Sequence, residues 1–156
     1  MTKALSISVI AAVALLGACD DDDDDDLIIG GEGDVVEWTA DVFGIGDFSS
    51  IGGSADVTYE LGTFEFGATA NIFGDIPGAV RPWHVHFGSC ADTGDIVGID
   101  SDYLPFVTDS SGADQVSVIV PEPLDPNGVY SVNFHLGTTG TDFATIIACG
   151  DLVPLF

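Results

Sequence analysis

The sequence predicts an all-β domain, a small barrel or sandwich, and three observations carry that expectation. Its apolar runs are short and rich in Val, Ile, Phe and Thr, with Gly, Asp, Ser and Pro between them. Several runs alternate apolar and polar residues with a period of two, as a half-buried strand does. Finally, 20 glycines, 7 prolines and only 2 Lys/Arg leave little from which to build long helices.

The chain begins differently. Lys3 gives a short basic start, and residues 4–18 are mostly Ala, Leu, Ile and Val. That stretch is too short for an ordinary membrane span but suits the core of a signal peptide. It ends Leu16-Gly17-Ala18-Cys19, which resembles a bacterial lipoprotein signal, whose cysteine is acylated after cleavage on its N-terminal side. The expected product is an exported lipoprotein held to a membrane through Cys19, in the periplasm or on the cell surface. Residues 20–26 are all aspartate, a self-repelling tether that spans about 25 Å when extended. The predicted organisation is therefore a signal peptide over 1–18, the lipidated cysteine with its acidic linker over 19–33, and a β domain over 34–156.

Charge narrows the function. The formal net charge is −24, and removal of Lys3 with the signal peptide would make it −25 and leave Arg81 as the only Lys or Arg. Nothing remains to neutralise phosphates, so a nucleic-acid binder is excluded.

Strands are predicted over residues 35–42 and 55–61, then through a tight turn at Gly62-Thr63 into 64–73. In that third run Phe64, Phe66, Ala68 and Ala70 face one way. The fourth strand is Trp83-His84-Val85-His86-Phe87, entered through Pro82, which suits a strand start or edge. Residues 91–113 read as a long surface loop with one or two short strands. Further strands follow over 115–120, 129–136 and 143–149, the first of them stopped by Pro121-Glu122-Pro123. Asp125-Pro126-Asn127-Gly128 signals a turn before the second.

The chemistry sits in the fourth strand. Alternation puts His84 and His86 on one face, with Val85 and Phe87 on the other. Two imidazoles about 6.5–7 Å apart along a strand can converge on one metal ion. In Tyr130-Ser131-Val132-Asn133-Phe134-His135, the apolar residues share a face and His135 points away from it. All three histidines of the chain are thus expected on the outer surface. If their strands meet, three neutral imidazoles with an open position suit a late first-row metal, and affinity alone favours Cu(II). Once Cys19 carries lipid, Cys90 and Cys149 remain as an even pair in an exported protein, predicting a disulfide.

Trp83-His84-Val85-His86-Phe87-Gly88, Cys90, a strand ending in His135, and Ile147-Ala148-Cys149-Gly150 together resemble copper/zinc superoxide dismutase. The resemblance covers about residues 55–152. It implies a Greek-key β-barrel or sandwich of immunoglobulin-like type, one copper held by His84, His86 and His135, and a Cys90–Cys149 bridge. The chain departs from the family by having no histidine between His86 and His135, so the bridging and zinc-binding histidines lack counterparts and zinc is not expected. Asp92, Asp95, Asp100 and Asp102 can lend oxygens there. The family's active-site arginine position holds Ile146, leaving Arg81 as the one candidate for a catalytic cation. The implied role is a degenerate dismutase or a copper-handling protein.

A segment after Cys90 (Gly94-Asp95-Ile96-Val97) and Asn133-Phe134-His135 also resemble chordin-repeat (CHRD) domains. They imply instead a non-catalytic structural or binding module with vestigial histidines. A third reading is an acidic lipoprotein that recruits a partner through its strand edges, with Trp38, Trp83 and Tyr103 as candidate exposed aromatics.

Overall fold

A computed structural model describes residues 33–155 of the chain. The predicted signal peptide, Cys19 and the aspartate run lie outside the described residues. Ten strands follow in order: β1 (Val35–Gly44), β2 (Gly52–Glu60), β3 (Phe66–Phe73), β4 (Val80–Arg81), β5 (Trp83–Ser89), β6 (Asp92–Ile96), β7 (Phe106–Val107), β8 (Asp114–Val120), β9 (Tyr130–His135) and β10 (Ile146–Leu155). One short α-helix, α1 (Gly140–Ala144), precedes β10, and single turns of 3-10 helix lie at Gly46–Phe48 and Asp100–Asp102. Eight strands form a curled antiparallel sheet in the order β6-β5-β9-β10-β1-β2-β3-β8, a half-barrel, while β4 and β7 pair apart from it. Among the described residues no helix is long and apolar enough to cross a membrane.

The concave face holds the core, and the alternation explains which residues reach it. On β3, Phe66, Ala68, Ala70 and Ile72 are buried while Gly67, Thr69 and Asn71 are only half-buried. β1 adds Trp38, Ala40 and Val42, and β2 adds Ala55, Val57 and Tyr59. Small alanines on three adjacent strands leave room for the large rings of Trp38, Trp83 and Phe134 within the curl. Trp38, Trp83 and Tyr103 are all buried, so none is an exposed docking aromatic.

Phe64 and Phe143 do not begin the strands predicted for them, while the predicted strand start after Pro82 holds, each for a local reason. Phe64 does not begin β3; it is 81% exposed in the preceding turn. Gly62 turns there at φ +87°, and the Thr63 hydroxyl binds the Glu60 and Glu65 carbonyls, holding this backbone out of the ladder. Pro82, lacking an N–H, separates the histidine run into β4, which pairs with β7, and β5, which joins the main sheet. The last strand starts at Ile146, because residues 140–144 wind into α1, with the Thr145 hydroxyl donating back to the Thr141 carbonyl. It then runs on to Leu155, paired with β1 through Trp38↔Pro154 and Glu37↔Leu155.

Candidate metal centre

β5 lies between β6 and β9, and its register with β9 is uninterrupted: Trp83↔Phe134, His84↔Asn133, Val85↔Val132, His86↔Ser131. Trp83, Val85, Val132 and Phe134 therefore enter the core. His84, His86, Ser131, Asn133 and His135 share the opposite, outer face. His135 reaches the group because its N–H continues the ladder to the Pro82 carbonyl at 2.8 Å.

That outer face is not solvent. His84, His86 and His135 are 0, 6 and 4% exposed, where the sequence led to an expectation of surface histidines. The side is the one alternation gives, but the loop after β6 and helix α1 fold over it. Tyr103 packs edge-on against His84 at 5.1 Å between ring centroids, and Phe143 stacks on His135 at 5.4 Å with the planes 9° apart. Phe143 also meets His84 at 5.4 Å.

The three imidazoles each offer a ring nitrogen, and these atoms all lie within 4.8 Å of one another. Their outer contacts decide which nitrogens are free. His84 Nε2 lies 2.8 Å from Asp100 Oδ1, so it carries the proton there and leaves Nδ1 as a bare lone pair. His86 Nδ1 donates to the Gly94 carbonyl at 3.0 Å and leaves Nε2 bare. Both arrangements have the form in which a ligating histidine is oriented by a carboxylate or a backbone carbonyl behind it. His135 makes no hydrogen bond of ordinary geometry at either nitrogen, the Phe143 backbone only lying near enough to favour its charged form.

Electrostatics hold the cluster neutral. Burial lowers the His84 pKa, the neighbouring His86 adds to that, and the Asp100 hydrogen bond opposes it. Burial likewise lowers His86, against the Gly94 carbonyl and the field of Asp95. His135 is pushed down to about 4 by burial and by its two histidine neighbours, with the Phe143 backbone working weakly the other way. At neutral pH the cluster therefore presents unprotonated nitrogens, the form a metal ion needs.

Nearby, Cys90 and Cys149 form the expected disulfide, 59 residues apart in sequence. Asp151 Oδ1 accepts the Cys90 N–H at 2.6 Å, so the turn after β5 is fixed to β10 twice. A disulfide of this kind belongs to compartments outside the cytoplasm. The bridge limits the unfolded chain by about 4 kcal/mol on the chain-entropy estimate.

Arg81 is committed elsewhere. Its Nε and Nη2 bind the two oxygens of Asp75 at 2.6 and 3.1 Å, and Nη1 donates to the Leu136 carbonyl. Burial would raise the Asp75 carboxyl, but the Arg81 hydrogen bond, the Ile76 N–H and the Arg81 charge together outweigh it and hold it below its ordinary value. Of the four aspartates singled out in the sequence, Asp100 contacts a histidine directly and Asp95 acts on His86 through its field. Asp102 instead accepts the Ile99 N–H at 3.0 Å. Gly94, Tyr103 and Phe143 carry no sequence signal for a role at the site, because loop packing alone brings them there.

Set against known proteins, no family model matches the chain and no curated protein matches it.

Proposed function

We propose that the chain is an exported, membrane-anchored lipoprotein whose superoxide dismutase-like domain binds one copper ion through His84, His86 and His135. The observation that carries this reading is the set of buried, unprotonated imidazoles with unpartnered nitrogens inside 4.8 Å of one another. A buried polar atom without a partner costs about 1–3 kcal/mol, and an ion bound by one nitrogen from each histidine would satisfy three of them at once. A set of three imidazoles suits copper or zinc, and affinity order favours Cu(II).

The strand order supports the Greek-key part of the reading. β8 crosses back to lie beside β3, and β9 crosses back to lie beside β5, the kind of long return that a Greek key uses. The disulfide supports export, and Cys19 ahead of an aspartate linker supports anchoring.

Copper bound here would supply one-electron chemistry, passing between two oxidation states. The chain's own residues favour holding the ion over fast turnover of an anion. Tyr103 and Phe143 cover the imidazoles, Asp100 and Asp95 surround them with negative charge, and Arg81 is tied to Asp75. A superoxide anion approaching a domain of this charge is repelled. Copper handling is therefore the role proposed, with dismutation at most slow.

The test is metal content. The purified chain, loaded with copper and zinc and then dialysed, should retain about one copper per chain, and His135→Ala should retain none. If the unaltered chain keeps no metal, the copper reading is wrong and the chordin-repeat-like structural module stands in its place.

A further inference from the structure

Among the described residues, seven buried side-chain nitrogen and oxygen atoms lack a hydrogen-bond partner. One is Trp38 Nε1; the other six all belong to the outer face of β5 and β9. An ion held by three histidines accounts for one nitrogen from each. It does not account for the second His135 nitrogen, for Asn133 Oδ1, on a residue with no exposed surface, or for Ser131 Oγ.

Asn133 occupies the middle of the cluster. It lies directly across from His84 in the ladder, diagonally from His86, and two residues before His135 on the same face. Directly paired residues have Cβ atoms about 4.5–5.5 Å apart, and diagonal ones about 7–8 Å. Asn133 is thus a near neighbour of all three imidazoles. Ser131, by contrast, faces His86 and lies four residues from His135.

The orientation of the carboxamide is fixed by its other contact. The Thr93 hydroxyl donates its proton to the Ser89 carbonyl at 3.3 Å, so it can only accept from Asn133. Asn133 Nδ2 is therefore the atom turned toward Thr93, at 3.5 Å, and Oδ1 is turned away from it, a buried acceptor that no protein donor meets. A carbonyl oxygen there meets its need only from a proton donor or a cation, and no side chain of the layer donates to it.

From this juxtaposition we infer that Asn133 is the fourth ligand of the three-histidine site, giving the ion three nitrogens and one neutral oxygen. This rests on the proposed copper-binding reading. An amide oxygen is a hard donor, so it favours the divalent ion over Cu(I). Ser131 is a bystander on the same face, held there by packing.

The experiment uses the full chain titrated with Cu(II), read by electron paramagnetic resonance and by competition with a chelator of known affinity. Asn133→Leu should weaken Cu(II) about 10- to 100-fold, in the range of losing a metal-supporting contact, and change the copper hyperfine pattern. Asn133→Asp, which keeps the oxygen and adds a charge, should tighten Cu(II) and also change the spectrum, and it serves if the leucine variant does not fold. Ser131→Ala should leave both readings as they are. If unaltered protein binds one Cu(II) and both Asn133 variants match it in affinity and spectrum, the fourth-ligand inference is overturned and the three-histidine site stands. If unaltered protein binds no copper, both fall together.

Discussion

The two faces of β5 make an instructive pair. Inward, Trp83 and Val85 have no exposed surface, and every polar atom is answered: Trp83 Nε1 donates to the Leu104 carbonyl at 2.9 Å while its ring stacks on Phe106 at 5.8 Å. Outward, His84 and His86 are nearly as buried, yet each keeps one ring nitrogen without a partner. Burial therefore does not separate core from site in this molecule. What separates the two faces of β5 is their hydrogen bonding: the Trp83 indole is partnered, whereas one ring nitrogen of each histidine is not. The histidine face is also the one braced from outside, by Asp100 on His84 and Gly94 on His86. A packing layer has no use for bracing that leaves lone pairs aimed at one another.

The contrast breaks most visibly if the two faces respond alike to truncation. His86→Ala should abolish copper retention while far-ultraviolet circular dichroism and the unfolding transition stay close to those of the metal-free parent. Phe134→Ala, on the inward face of β9, should do the reverse. It should cost about 3–5 kcal/mol of stability, as loss of a buried ring does, and the fraction that folds should still take up one copper. Loss of copper by a folded Phe134→Ala protein would show that the faces are one structure rather than two. A smaller effect sharpens the role of the brace. Asp100→Ala should weaken copper about tenfold, the low end for an outer partner, because the Asp100 side chain is 64% exposed and water can replace it. Unchanged affinity would make the Asp100 contact incidental to the site.

Much of this division was legible in the sequence, and the part that was not follows from loops. Alternation alone put Val85 opposite His84 and His86, and Phe134 opposite His135, because the two-residue period of a strand is rigid. The even cysteine pair gave Cys90–Cys149. Local sequence could not show that residues 100–103 and α1 lie over the histidines, since what covers a strand is set by where a loop of Gly and Asp comes to rest. The same limit hid Phe143, which reads as a strand residue by composition and becomes part of a helix once Gly140 turns the chain at φ +59°. Asp100 was one aspartate among several until its distance to His84 selected it.

The smallest expected effect is also the sharpest, because its sign reverses with metal. Without an ion, His135 buries two unpartnered nitrogens. Leucine is of similar size and has none, so His135→Leu in chelator should stabilise the domain by about 1 kcal/mol at pH 7. The gap should widen in acid. The unfolded chain takes a proton on His135 near pH 6.5, while the folded chain resists until about pH 4. Between those values the unfolded state binds more protons, so parent stability is full above pH 6.5 and falls as pH drops through the window. His135→Leu loses that share of the slope, although His84 and His86, also lowered by burial, keep theirs. With copper present the order inverts, since an ion that binds only the folded parent adds its binding free energy to stability. Urea unfolding of both proteins at pH 7.5 and 5, each with chelator and with copper, measures all four cases. A leucine variant less stable than the parent in chelator would mean that His135 already has its partner in the chain, and the outer face of β5 and β9 would then be a second core.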